Sequence, residues 1–382
     1  MQRSFYSLVA SGAALIACCY GLARFAYGLF TPVLTDEFGL SSTLVGVIAA
    51  GSYVGYCAAI IASAAVTRRL GPRLVATGAG IVATLGMTMV ALAPSAWVLA
   101  FGVLIAGSST GIASPPLAAA IAHRIRGAAG DRAQTIVNAG TGVGVLVSGP
   151  IAFALFDHWR LAWGVYAVIA AATTIWVACS VGSTRDSPVE PAQVQRWRTG
   201  SFGLVAASLL TGLGSITVWS FGRDQISTGG SAGVAVASIA WMVLGAAGIA
   251  GAFGGDLARR IGLRRAWVST TLAMSCGTIV LAIAPGNVVA IMVSVSVFGA
   301  SYICLTGLLL VWSTRVYPDS PSLGVGLSFF TIALGQALGA PTAGALIDAH
   351  GATTTFILCA MTGATAAVVR PVAASAMLDR QH

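Results

Sequence analysis

The chain has 382 residues, of which 57% are hydrophobic and only 8% charged, and its formal net charge is +9. Soluble domains carry about 25% charged residues, so a water-soluble globule of this size is excluded for want of polar surface. The positive balance does not indicate nucleic acid: all twenty basic residues are arginine, and almost all fall in short segments between apolar runs.

Those runs are long enough to cross a hydrocarbon layer of about 30 Å. In chain order they predict twelve helices, near 6–33, 43–66, 73–93, 96–123, 133–156, 161–181, 201–222, 231–253, 266–284, 287–313, 323–347 and 352–376. The expected fold class is an all-α membrane protein whose twelve transmembrane helices form two pseudo-symmetric six-helix bundles. Residues 1–181 form the N-terminal bundle, 182–200 a short polar cytoplasmic linker and 201–382 the C-terminal bundle. The 47 glycines suit this environment, because helices in lipid associate through close packing at small residues.

Orientation follows from the arginines. With the N-terminus in the cytoplasm, seventeen of them lie on inner segments, only Arg160 and Arg223 lie outside, and Arg24 is within the membrane. The positive-inside rule then places both termini in the cytoplasm. The first helix lacks a signal-peptide cleavage pattern and is expected to be retained. The seven cysteines all fall within the predicted spans, without CxxC or metal-ligand spacing, and read as small packing residues.

Shifting the chain by 191 residues lays one half on the other without a gap. Arg68-Arg69-Leu70-Gly71-Pro72-Arg73 meets Arg259-Arg260-Ile261-Gly262-Leu263-Arg264. Pro94 meets Pro285, Arg124 meets Arg315, Gly144 meets Gly335, Pro150 meets Pro341 and Asp157 meets Asp348. Matches of Gly or Ala come easily in such a chain; matches of scarce Arg, Pro and Asp do not. Parallel six-helix repeats are a known transporter plan.

Here the chain resembles the major facilitator superfamily over essentially its whole length. That family's loop between helices 2 and 3 runs Gly-x-Leu-Ala-Asp-Arg-x-Gly-x-Arg, and the second half offers Gly255-Asp256-Leu257-Ala258-Arg259-Arg260-Ile261-Gly262-Leu263-Arg264. Both copies place arginine, Arg68 and Arg259, where the family has Asp. Either the arginines simply anchor the loop, or Arg69, Gly71, Arg73, Arg124, Asp256, Arg260, Gly262, Arg264 and Arg315 form a cytoplasmic gate. Gly149-Pro150 on the fifth helix and Pro341 on the eleventh are similar to the family's Gly-Pro motif and mark helix kinks. Asp157 and Asp348, at matching outer ends, read as helix caps, an outer gate or surface charge.

The segment Gly21-Leu22-Ala23-Arg24-Phe25-Ala26-Tyr27 resembles the Gly-x-x-Arg-Phe-x-Tyr start of the YbfB/YjiJ-like bacterial branch. Arg24 precedes Leu34 by ten residues, about 15 Å along a helix, and a mid-membrane arginine is costly unless it is paired or faces water. Tyr20, Arg24 and Tyr27 share one face by helical spacing. The resemblance turns that face to a central cavity. No acidic residue is predicted near mid-membrane, so Arg24 binds either an anionic substrate, best a carboxylate, or backbone carbonyls across a helix contact. Tyr53, Asn138, Trp219, Tyr302 and Gln336 are further candidates for the cavity wall.

The function expected is secondary active or facilitative transport of a small solute by alternating access, most simply an organic anion recognised by Arg24. The alternative is efflux of drugs and amphiphiles. No catalytic or metal-binding constellation is present in the predicted spans, and with no lysine there is no GxxxxGK[ST] phosphate loop. The chain is therefore expected to be no enzyme and to need no cofactor or metal. Its partners would be the small-molecule substrate and the lipid bilayer, with no nucleic acid, and it would act as a monomer.

Overall fold

The computed structural model describes residues 2–124, 128–181, 197–228, 233–318 and 320–371. The first crossing is composite: α1 (Gln2–Ile16), a π-helical stretch (Ala17–Phe25) and α2 (Tyr27–Phe38). Then follow α3 (Ser42–Leu70), α4 (Pro72–Ala91), α5 (Ala96–Arg124), α6 (Ala128–Ala154) and α7 (Trp159–Ser180). The second half comprises α8 (Ser201–Thr228), α9 (Val234–Ala250), α10 (Gly254–Ile261), α11 (Leu263–Ile283), α12 (Val288–Val316), α13 (Pro321–His350) and α14 (Ala352–Thr365). Ten helices among the described residues are long and apolar enough to span a membrane, the bent α9–α10 pair makes an eleventh, and Ala352–Val368 is a shorter apolar helix.

Local chemistry sets many of the ends. Ser41 caps α3 by accepting from the Leu44 N–H, and Asn287 caps α12 by accepting from the Ala290 N–H. Gly71 and Gly262, matching positions of the repeat, make the same sharp turn, with φ/ψ of 82°/160° and 86°/147°. That region is essentially closed to side chains. Contacts between span ends set the relative direction of several spans. Ser7 near the start of α1 bonds Ser180 at the end of α7, and Ser201 at the start of α8 bonds Tyr317 just past α12. Arg160 near the start of α7 pairs with Glu37 near the end of α2 at 2.6 Å.

Elements of the first half, α1–α7, meet those of the second, α8–α14, chiefly through α3 with α13, α6 with α9, and α2 with α8. The sequence repeat recurs in space. A methyl group on Gly21 would lie 2.2 Å from the Gly144 carbonyl carbon, and one on Gly212 would lie 2.2 Å from the Ile332 oxygen and 3.1 Å from Gly335. Matching glycines thus create matching close crossings in the two halves. Between the halves, glycines again set the approach: Gly46 against the Ala340 oxygen, Gly344 against the Ser42 oxygen, and Gly28 against the Trp219 oxygen. Together with Asp348 on Ser42 and Thr43, these seal the halves at the face bearing the Gly39 and Gly351 turns.

Several boundaries differ from expectation. The first helix is not one regular helix over 6–33; it changes to π geometry at Ala17 and continues past Pro32 to Phe38. The helix expected over 201–222 runs on to Thr228, carrying Arg223 inside. The helix expected over 231–253 is broken by a short 3-10 turn at Gly251–Phe253, and its two parts meet at 51°. Pro150 and Pro341 lie within unbroken α6 and α13. Residues 182–196, most of the expected linker, and the end of the helix expected over 352–376 lie outside the described residues.

Candidate functional site

The site is built on the π-helical stretch of the first span. A π turn holds one residue more than an α turn and commonly occurs at functional positions. It carries Arg24, which is only 6% exposed. Arg24 donates through Nη2 to the side-chain oxygen of Gln336 on α13, at 2.8 Å. The amide is oriented by its other bonds: its nitrogen donates to the Tyr302 hydroxyl at 3.2 Å and to the Ser215 hydroxyl at 3.4 Å. Ser215 is the repeat counterpart of Arg24. Equivalent positions of the two halves therefore meet on one amide.

Aromatic rings surround the guanidinium. Its carbon lies 4.4 Å from the ring centre of Tyr53, 4.8 Å from Tyr56, 5.3 Å from Phe25 and 5.8 Å from Tyr20. Such contacts contribute roughly 0.5–2 kcal/mol each in desolvated settings. They soften the burial of the charge without neutralising it. Arg24 Nε has no hydrogen-bond partner. The ion pairs among the described residues, Arg160–Glu37 and Arg259–Asp256, leave Arg24 aside. Arg24 is thus neither unpartnered nor bound to backbone carbonyls: a neutral amide holds one of its nitrogens.

A cavity of about 30 Å3 adjoins it, lined by Tyr20, Arg24, Asn138, Tyr302 and Gln336 of the expected residues. That is room for about two waters. Tyr53 contributes its ring to Arg24 from beside the cavity, and Trp219 closes one side by stacking on Phe25 at 3.9 Å and meeting Tyr302 edge-on at 5.2 Å. Tyr27 does not join them. Its hydroxyl donates to the Val45 carbonyl, because the π stretch ends between Arg24 and Tyr27 and breaks the α spacing that would align them. Phe25, Tyr56, Thr141, Thr306 and Phe329 also line the cavity. Thr141 follows Asn138 by three residues and Thr306 follows Tyr302 by four. Helical spacing of polar residues was the signal that could have found both.

The loop residues lie elsewhere. Arg69, Arg73, Arg260, Arg264 and Arg315 are exposed, and Asp256 pairs with Arg259 one turn away on its own helix. The side chains of Arg68 and Arg124 lie outside the described residues. Gly149 lets α6 meet Met242 of α9: a methyl there would lie 2.3 Å from the Met242 side chain. Arg223, expected at the outer surface, is instead buried in α8.

The comparisons with known proteins agree on the architecture. A mutant of the nucleoside transporter NupG superposes with a TM-score of 0.76 at 13% identity, covering 96% of this chain and 98% of that one. A POT family transporter in complex with 5-aminolevulinic acid gives 0.78 at 12% identity, covering 96% and 95%. A bacterial homologue of the human lysosomal transporter Spinster, inward-facing and unoccupied, gives 0.71 at 14% identity, covering 97% and 95%. At such identities the likeness concerns the fold. In sequence, the chain is 25% identical over 365 residues to the transcription regulatory protein OpdE of Pseudomonas aeruginosa, covering 91% of this chain and 89% of that protein. Residues 16–373 match the family model described as uncharacterised MFS-type transporter YbfB, and the chain belongs to that family of membrane transporters.

Proposed function

We propose that the chain moves a small organic anion across the bacterial inner membrane by alternating access, and that Arg24 is the group that recognises it. One observation carries the reading. Arg24 is a buried charge held by a neutral amide, with one nitrogen unsatisfied, on the wall of a cavity at the meeting of the two halves. A carboxylate arriving there would supply the missing counter-charge and accept two parallel bonds. The Gln336 oxygen would give way to it. The ring cage of Tyr20, Tyr53, Tyr56 and Phe25 favours a small substrate with an apolar body.

The arginine distribution supports cytoplasmic termini, and the seal at the Gly39 and Gly351 face then corresponds to a conformation closed toward the outside. A thermal-shift screen of purified protein against organic carboxylates, sugars and cationic amphiphiles tests the proposal. Carboxylates should raise the melting temperature, and Arg24→Ala or Arg24→Lys should remove that rise. An unchanged carboxylate affinity in both variants would sink the idea, and stabilisation by cationic amphiphiles alone would favour drug efflux. The regulatory name of the OpdE relative favours a second reading, in which occupancy of the site is signalled instead of the solute being moved. Uptake by proteoliposomes of whichever carboxylate the screen finds separates the two.

A further inference from the structure

A second arginine is buried deeper than the first. Arg223 lies on α8 one turn beyond Trp219 and is 1% exposed. Its Nη1 donates to the Ser238 hydroxyl on α9 at 3.2 Å, and its guanidinium carbon lies 4.4 Å from the ring centre of Phe156, a residue of the first half. Nε and Nη2 are both buried without a hydrogen-bond partner. Asp224, next in the chain, is not ion-paired with Arg223. A cavity of about 10 Å3 lies against Arg223, and Ile226, Ala240, Trp241, Leu281 and Val295 supply much of its wall. The indole N–H of Trp241 is already committed to the Ser148 hydroxyl.

We propose that this cavity binds one monovalent anion of chloride size, held by Arg223. A buried guanidinium bonded to a hydroxyl and set near the rings of Phe156 and Tyr166 lacks a counter-charge. The cavity has room for about one water, so it suits a single small ion better than a carboxylate or phosphate. Its apolar wall favours an ion that gives up its hydration readily, and a single negative charge balances a single guanidinium. Phe156 covers the arginine from the other half only while the two halves meet at this level, so the bound anion stabilises the sealed conformation. The site is separate from Arg24, and the proposal stands or falls independently of the substrate assignment.

The test is the melting temperature of the purified protein in sodium chloride and in sodium gluconate at equal ionic strength, with chloride titrated between them. The wild type should be stabilised saturably by chloride. Arg223→Gln should abolish that effect and Arg24→Gln should retain it. Should Arg223→Gln fail to fold, Ser238→Ala keeps the guanidinium but removes the acceptor of its Nη1, and should shift the chloride midpoint several-fold. Equal melting in the two salts would mean that water fills the cavity and would overturn the proposal. A chloride effect that survives Arg223→Gln, is lost only in Arg24→Gln, or has the same midpoint in Ser238→Ala would overturn it as well.

Discussion

The carboxylate of Asp348, near the end of α13, caps the start of α3 in the opposite half through its contacts with Ser42 and Thr43. It accepts from the Ser42 N–H at 3.0 Å, the Thr43 N–H at 2.8 Å and the Thr43 hydroxyl at 2.6 Å. The first N–H groups of a helix have no partner within it, and a carboxylate there also meets the positive end of the helix dipole. A cap contributes about 1 kcal/mol, a factor of about five in an equilibrium. Because this one exists only while the halves are together at that face, Asp348→Ala should favour the parted state by that factor. A cysteine introduced at the buried Leu40 and labelled with an impermeant maleimide should react about fivefold faster in the Asp348→Ala background.

Gln336→Glu would place a carboxylate beside Arg24 within the protein. The internal pair satisfies the guanidinium, so the melting temperature should hold or rise while stabilisation by added carboxylates disappears. Gln336→Leu should do the opposite to stability, leaving the charge without its acceptor at a cost of about 1–3 kcal/mol or more. The same thermal-shift titration reads both.

The matched crossings of Gly21 with Gly144 and Gly212 with Gly335 should tolerate no side chain. Gly21→Ala and Gly212→Ala should each destabilise the protein by about 1–3 kcal/mol or more, since the neighbouring atoms are backbone and cannot swing aside. Gly78, with open space where its Cβ would be, serves as the control and should accept alanine with no loss in melting temperature.

The turns at Gly71 and Gly262 fail for a different reason. Alanine at Gly262 meets no crowding, yet at both positions the backbone conformation itself is strained for any side chain, at about 1–3 kcal/mol. Melting temperatures of Gly71→Ala, Gly262→Ala and the double variant should show two comparable and additive losses, because the turns join different pairs of helices, α3 with α4 and α10 with α11.

Much of this architecture was legible from residues alone. Apolar length and scarce charge give the spans, and the ungapped offset of 191 pairs Gly144 with Gly335. Arg24 and Gln336 were each marked as polar residues within spans. Their bond was not, because crossing geometry between distant helices leaves no local trace. Arg223 was misplaced because a charged pair, Arg223-Asp224, followed by Gly-rich sequence looks like a loop; the helix runs past it, and the Phe156 ring from the other half covers it. The bend between α9 and α10 was missed since Gly251, Gly254 and Gly255 read equally well as helix packing.

The π-helical stretch bears on how two copies of one design came to differ. The repeat aligns without an insertion, yet Ala17–Phe25 winds more slowly than its α-helical counterpart in α8. A slower winding accumulates angular phase, so side chains beyond it point in directions their equivalents do not. Asymmetry can therefore be written into a duplicated membrane bundle by changing pitch, with chain length and alignment untouched. In this protein that change of pitch coincides with the position where one copy carries a cation and the other a hydroxyl.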